Sequence, residues 1–259
     1  MKKKRRFPFP ELYLLLVLLL LYLPILVVVA YSFNDTKLFE WKGFTWGWYE
    51  KLFQNKTILQ AFWNSLKLAV LSSLLAAILG TLGAVGISGR HFRTKGLLEN
   101  VSMIPIMIPE IILGMAYLTI FTVFQIPFGM ITLVIAHTTF CVPYIFINVK
   151  ARLSGLDPAI GEAALDLGAS RARMFRDITL PLIMPAVASG TLLAFAMSMD
   201  DVVISFFATG PDTSTLPLQV YSMLKMGVTP EINALCTVML GVVFLAVAAF
   251  RLGKIRRRA

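Results

Sequence analysis

Charged side chains are scarce in this sequence. Asp, Glu, Lys and Arg make up 15% of its 259 residues and apolar types 58%, whereas an average soluble domain carries about 25% charged and 45–50% apolar residues. A water-soluble domain of this length is excluded on that balance. Cysteine is nearly absent. Cys141 and Cys236 lie in separate apolar runs, without metal-ligand spacing, so a disulfide framework is excluded and both read as buried free thiols. No G-x-x-x-x-G-K-[ST] segment occurs. A P-loop needs those glycines and that lysine around the phosphates, so nucleotide chemistry has to lie on another chain. There is no low-complexity segment, no short-period repeat, and no catalytic or metal-ligating set.

What the sequence has instead is length of apolar run. A membrane helix needs about 20 apolar residues, and six candidates satisfy that: residues 12–33, 62–88, 101–123, 128–149, 185–208 and 232–252. The later ones carry Ser, Thr, Gly and Pro, which suits helices packed on other helices rather than on lipid. Pro105 and Pro109 predict a break or kink in the third span, and Pro143 predicts one in the fourth.

The basic residues sort to one side of a six-span topology. The N-terminal tail holds Lys2, Lys3, Lys4, Arg5 and Arg6. The next two segments on that side hold Arg90, Arg93 and Lys95, then Lys150, Arg152, Arg171, Arg173 and Arg176. The C-terminus holds Arg251, Lys254, Arg256, Arg257 and Arg258. Together these are 18 of the 24 Lys and Arg, so that side is expected to be cytoplasmic, with both termini inside. Such juxtamembrane clusters suit anionic lipid; nucleic acid is not the expected partner. The tail and first run resemble a signal peptide, but about 22 apolar residues exceed an h-region, so an uncleaved first helix is expected.

The 150–184 loop is the most informative stretch. Asp157 is an N-cap and Pro158 an N1 residue, predicting a helix from Pro158 to about Leu167, with Gly168 as its C′ residue. Ser170 predicts the cap of a second helix that Pro181 should end near Leu180. Across this hairpin run Glu162, Ala163, Ala164, Gly168, Ala169, Arg171, Ile178, Leu180 and Pro181. This pattern resembles the EAA motif of ABC importer permeases. Nearly the whole chain, about 10–252, is similar to inner-membrane permeases of the spermidine/putrescine type (PotC-like). SFND (32–35), SMDDVVISFFATGP (198–211), LPLQVYSMLKMG (216–227) and TPEINAL (229–235) carry that likeness.

The resemblance implies an all-α polytopic membrane protein with six transmembrane helices and the type I ABC importer permease (MetI-like) fold, in a bacterial cytoplasmic (inner) membrane. It implies three regions: 1–59 with tail, first helix and outer loop; 60–252 as the permease domain with its coupling loop; and a basic tail, 253–259. It implies a non-enzymatic transport subunit without a cofactor of its own, ATP and Mg being bound by the partner ATPase. The implied partners are a homologous permease (PotB-like), two ATPase subunits (PotA-like) at the coupling helix, and a soluble binding protein (PotD-like) outside. The implied cargo is a polyamine, with another small amine or an aminophosphonate as the alternative.

Within FAMSMDDVVISFF (195–207), two carboxylates interrupt an apolar span. An ionised carboxylate at mid-bilayer costs roughly 3 kcal/mol on insertion scales, so intramembrane acids are functional by default. On a continuous helix Asp201 aligns with Thr191, Ala194, Ser198 and Ser205, a small polar stripe suited to a water-filled path. Asp200 aligns with Met197 and Ile204 and is expected toward a partner permease or a neighbouring helix. Glu110, following Pro109, is expected to share a face with Met103, Met107, Gly114 and Tyr117. Asp201, Glu110, Asp200, Ser198 and Tyr117 are therefore the candidate path residues, with Tyr144 and Phe195 as possible cation–π partners of an amine. His137 is expected to pack or hydrogen-bond internally. Trp41, Trp46 and Trp48 are expected in an interfacial aromatic belt, with contact to the binding protein as the alternative; the 209–231 loop is a second candidate for that contact. An intramembrane aspartyl protease needs its acids on different helices, which adjacent residues cannot satisfy. A lone ion-coupled carrier leaves the hairpin unexplained.

Overall fold

The computed structural model describes residues 9–36, 40–88, 93–227 and 229–256, the side chains only from 11 to 245. Lys2 to Arg6, Arg90, Arg257 and Arg258 lie outside the described residues, as do the side chains of Arg251, Lys254 and Arg256. The elements in order are α1 (Phe9–Tyr31), α2 (Gly47–Gln54), α3 (Lys56–Ile87), α4 (Lys95–Met107), α5 (Glu110–Val123), α6 (Met130–Ser154), α7 (Pro158–Asp166), α8 (Arg171–Met174), a π-helical turn (Phe175–Thr179), α9 (Leu180–Asp200), α10 (Val203–Ala208), α11 (Leu216–Lys225) and α12 (Pro230–Arg256). No strand occurs among the described residues; Asn34 and Phe44 form one isolated bridge.

Four helical stretches are long and apolar enough to cross a bilayer, or five if the bent α4–α5 pair is one span; α12 adds a shorter apolar segment, Pro230–Leu245. Two of these stretches contrast in hydropathy and burial. The α1 span has mean hydropathy 3.1 with none of it buried, while α6 has 1.9 with 56% buried. Residues facing lipid have to be apolar, whereas a helix enclosed by protein can carry His, Thr and Cys.

The proline expectations hold at Pro109 and need correction elsewhere. The third span is broken, as expected: α4 and α5 meet at 102°. Pro109 makes the break, because Ile108 before it is extended (φ −80°, ψ 135°), as the pyrrolidine ring requires; Pro105 stays inside α4. Helix α6 runs on through Pro143 without a break. Pro181 does not end the second hairpin helix either. The chain passes from α8 through the π-helical turn, where the Leu180 amide reaches back to the Phe175 carbonyl. Pro181 then falls in the first turn of α9, where its missing N–H and fixed φ are tolerated. The hairpin thus continues directly into the fifth span. That span in turn does not reach residue 208 as one helix; it stops at Asp200, and Asp201 is extended (φ −69°, ψ 128°).

The chain divides into two compact units. In residues 59–221, α6 is central. Leu68, Leu133, Ile145, Phe146, Ile183 and Ile204 form the middle of the core. Two glycines allow close approach to α6. A Cβ on Gly80 would sit 3.0 Å from the Cβ of Ile145, and one on Gly190 would sit 3.1 Å from the Cα of Ile145. Small residues let helix backbones approach closely where no hydrophobic drive assembles them.

The other unit, residues 1–58 and 222–259, contains α1, α2 and α12. The loop between α1 and α2 folds around Asn34, which accepts the Lys42 amide (3.1 Å) through its side chain and the Trp48 indole N–H (2.8 Å) through its carbonyl. Phe33 is ringed by Phe44, Trp46 and Tyr49 at centroid distances of 4.9–5.2 Å. Trp41 and Trp46 are exposed, as a belt needs, but Trp48 is buried. The indole of Trp48 ties the loop together instead of meeting an interface. Asn55 donates to Glu231 at 3.0 Å, joining α12 to the end of α2.

Candidate functional site: a capped hairpin and a broken acidic helix

The hairpin is built as its residues predict. The Asp157 carboxylate accepts the Ala159 amide (3.0 Å), and Pro158 occupies the first helical position. At the other end of α7 the Gly168 amide donates to Leu165 (2.9 Å) and the Ala169 amide to Ala164 (3.0 Å). These two bonds, with Gly168 at φ +83°, are a Schellman cap, which needs a left-handed residue at that point. Ser170 caps α8 by accepting the Arg173 amide at 3.3 Å.

The motif residues divide into two groups. Ala164 is buried, Ile178 and Leu180 half-buried, and Gly168 makes the corner; these hold the hairpin. Glu162, Ala163, Arg171 and Pro181 are exposed, and Ala169 is partly so. A small cleft of about 210 Å³ lies at the hairpin root, between Ser88, Leu156, Asp157, Ile160 and Ile178. One residue of this surface escaped the motif reading. Leu167, immediately before the corner, is 89% exposed. No signal in the sequence marked it, since apolar residues beside a helix-ending glycine are often buried.

The acids are placed at two helix breaks. Glu110 is exposed and opens α5 directly after Pro109. Met103 and Met107 are on α4, across the 102° bend, so the single face expected for Glu110 does not exist. Gly114 and Tyr117, on α5 with it, are buried; Tyr117 stacks on Phe121 at 5.9 Å. Asp200 is exposed as the last residue of α9.

Asp201 differs from its neighbour. It is 9% exposed. One carboxylate oxygen accepts the Ile204 amide at 3.1 Å and the other the Ser205 amide at 2.7 Å, so it satisfies free amides in the first turn of α10. The second oxygen also lies 3.4 Å from Nε2 of His137. Nδ1 of His137 meets the Ser198 hydroxyl at 2.8 Å, and Ser198 meets Ser72 of α3 at 3.0 Å. The polar stripe of Ser198, Asp201 and Ser205 does come together, but around a histidine rather than along a continuous helix. His137 was legible only as a lone polar residue, because its partners are 61 and more positions away. No cluster able to hold a metal ion occurs among the described residues.

A continuous hairpin-and-span, broken apolar helices and acids within apolar segments are a transporter's features, and comparison with known proteins agrees. Residues 76–255 match the model of the family described as "binding-protein-dependent transport system inner membrane component". This chain belongs to that family. The permease is 44% identical over 216 residues to the spermidine/putrescine transport system permease protein PotC of Haemophilus influenzae, covering 83% of this chain and 84% of that one. It is 43% identical over 227 residues to the putrescine transport system permease protein PotI of Escherichia coli K12, covering 84% and 80%. Its fold is also that of a chain in the crystal structure of a bacterial ABC transporter importing the acidic polysaccharide alginate. That match has TM-score 0.74 at 14% identity and covers 98% of each chain. The permease is therefore an inner-membrane transport subunit of the ABC importer type, with the MetI-like fold expected from its hairpin.

Proposed function

We propose that this permease forms, with a homologous PotB-like subunit, the membrane path for a polyamine, spermidine or putrescine, delivered by a soluble PotD-like binding protein. The 44% and 43% identity to polyamine permeases carries this reading. The exposed carboxylates at the two helix breaks support it. A flexible polycation exchanges its hydration for acids spaced along a path, and an unwound, acid-bearing segment is how a membrane protein builds such a site. In this reading Glu110 and Asp200 meet the cargo, and Asp201, Ser198 and Tyr117 form the wall behind them. Six spans with both termini cytoplasmic, and the regions 1–59, 60–252 and 253–259, belong to the same proposal.

The hairpin of Glu162, Ala163, Ala164, Gly168, Ala169 and Arg171, together with exposed Leu167, seats on a PotA-like ATPase that binds ATP and Mg. Two such ATPases, one per permease, drive alternating access. The test is labelled spermidine and putrescine uptake into proteoliposomes holding the complete complex, with ATP on the ATPase side and binding protein on the other. ATP-dependent uptake is expected. A complex that takes up an aminophosphonate and ignores both polyamines overturns the cargo assignment.

A further inference from the structure

His137 has no exposed surface and has both ring nitrogens engaged. On one side it meets Ser198, one turn before the end of α9. On the other, Nε2 meets the Ser205 hydroxyl in α10 at 3.1 Å and the Asp201 carboxylate at 3.4 Å. A single side chain on α6 thus spans the break in the fifth span, holding the helix before it and the helix after it. Phe140 lies against the ring at 5.4 Å, and Ser72 carries the network on to α3.

The chemistry of the site assigns the donors. A proton on Nε2 lets the ring donate toward Asp201 and Ser205, while Nδ1 accepts from the Ser198 hydroxyl. A buried carboxylate needs its lone pairs satisfied. Asp201 has two backbone amides and one side-chain partner, and that partner is His137. No Lys or Arg pairs with it among the described residues. Removing the imidazole leaves Asp201 under-satisfied and frees α10 from α9 together. The residue whose direction then changes is Asp200, the exposed carboxylate adjoining the extended link.

We infer that His137 is a positioning residue for transport. By clamping the α9–α10 break through Ser198, Asp201 and Ser205 it sets where Asp200 presents its carboxylate to the amine. This rests on the reading that Asp200 meets the cargo. It assigns His137 no contact with the cargo itself.

The test is a cycle of variants in the complete complex in proteoliposomes, reading polyamine uptake beside ATPase activity measured without binding protein. His137→Leu is expected to lower uptake roughly tenfold, the size of a lost hydrogen bond to a charged group, and to leave the ATPase activity without binding protein unchanged. His137→Gln, which keeps a donor toward Asp201, is expected to recover most of the uptake. Added to Asp200→Asn, His137→Leu is expected to have no further effect. His137→Asn keeps a polar group beside Ser198 but falls short of Asp201, and it replaces Leu in the cycle should the Leu variant not assemble. Wild-type uptake by the Leu or Asn variant overturns the inference, as does a full multiplicative loss on top of Asp200→Asn. A wild-type complex that takes up no amine overturns the cargo reading and this inference together; the other outcomes touch the inference alone.

Discussion

The amide of Ala169 donates to the carbonyl of Ala164 at 3.0 Å, across Gly168 held at φ +83°. That bond turns the chain from α7 into α8 and leaves Glu162, Ala163 and Leu167 on the exposed edge of the hairpin. The left-handed conformation at the corner is open to glycine and strained for residues with a β-carbon, by about 1–2 kcal/mol. Nothing lies within 4 Å of a Cβ built there, so the penalty is conformational and not steric. Gly168→Val is expected to weaken ATPase-coupled uptake severely, Gly168→Ala less, and Gly168→Asn least, since asparagine tolerates this region. Uptake per hydrolysed ATP measures it. Full coupling in the valine variant contradicts the role of the corner.

Glu162 is exposed and forms no ion pair among the described residues. Glu162→Lys is therefore expected to change stability by no more than about 0.5 kcal/mol while reversing the charge offered to the ATPase. Thermal unfolding of the purified permease should match wild type, and binding of the ATPase subunit should weaken. A variant that binds and couples normally removes Glu162 from the docking surface.

Asp200 and Asp201 are neighbours with opposite settings, and their variants should separate. Asp200→Asn is expected to leave unfolding unchanged and to lower polyamine uptake. Asp201→Ala strips two backbone amides and His137 of their acceptor, and it should destabilise the permease by about 1–3 kcal/mol. Scanning both for melting temperature and uptake distinguishes them. Equal stability losses in the two variants would show that the buried and exposed placements are wrong.

Gly190 faces the backbone of α6, where an added Cβ would lie 3.1 Å from the Cα of Ile145. Backbone cannot swing aside as a side chain can, so Gly190→Val is expected to force α6 and α9 apart at about 1–3 kcal/mol. Gly86, with nothing within 4 Å of its Cβ position, is the control, and Gly86→Ala should be neutral. Comparing the melting temperatures of the two variants checks this.

The hairpin was legible residue by residue because each of its devices is local. A cap is set by Asp157 and Pro158, a corner by Gly168 and a second cap by Ser170, all within a few positions of the bonds they make. The apolar runs were legible for a similar reason, since lipid selects by composition over some 20 residues. Proline was the weak guide. Pro109 broke its helix, while Pro143 and Pro181 did not. At Pro181 a π-helical turn, Phe175–Thr179, precedes the proline, whereas α6 carries Pro143 within regular α-helix; no nearby letter records which will happen.

By itself, then, the sequence determined a chain of membrane helices with a capped hairpin and carboxylates inside the apolar spans. Only the tertiary structure decided which carboxylate is enclosed. Helical phase put Asp201 on an open stripe, but the chain leaves the helix at that residue and folds Ser198, Asp201 and Ser205 around His137, 61 or more positions earlier. A buried charge finds its partners through space, and the helix break that brings them together is stabilised by those partners rather than by the residues beside it.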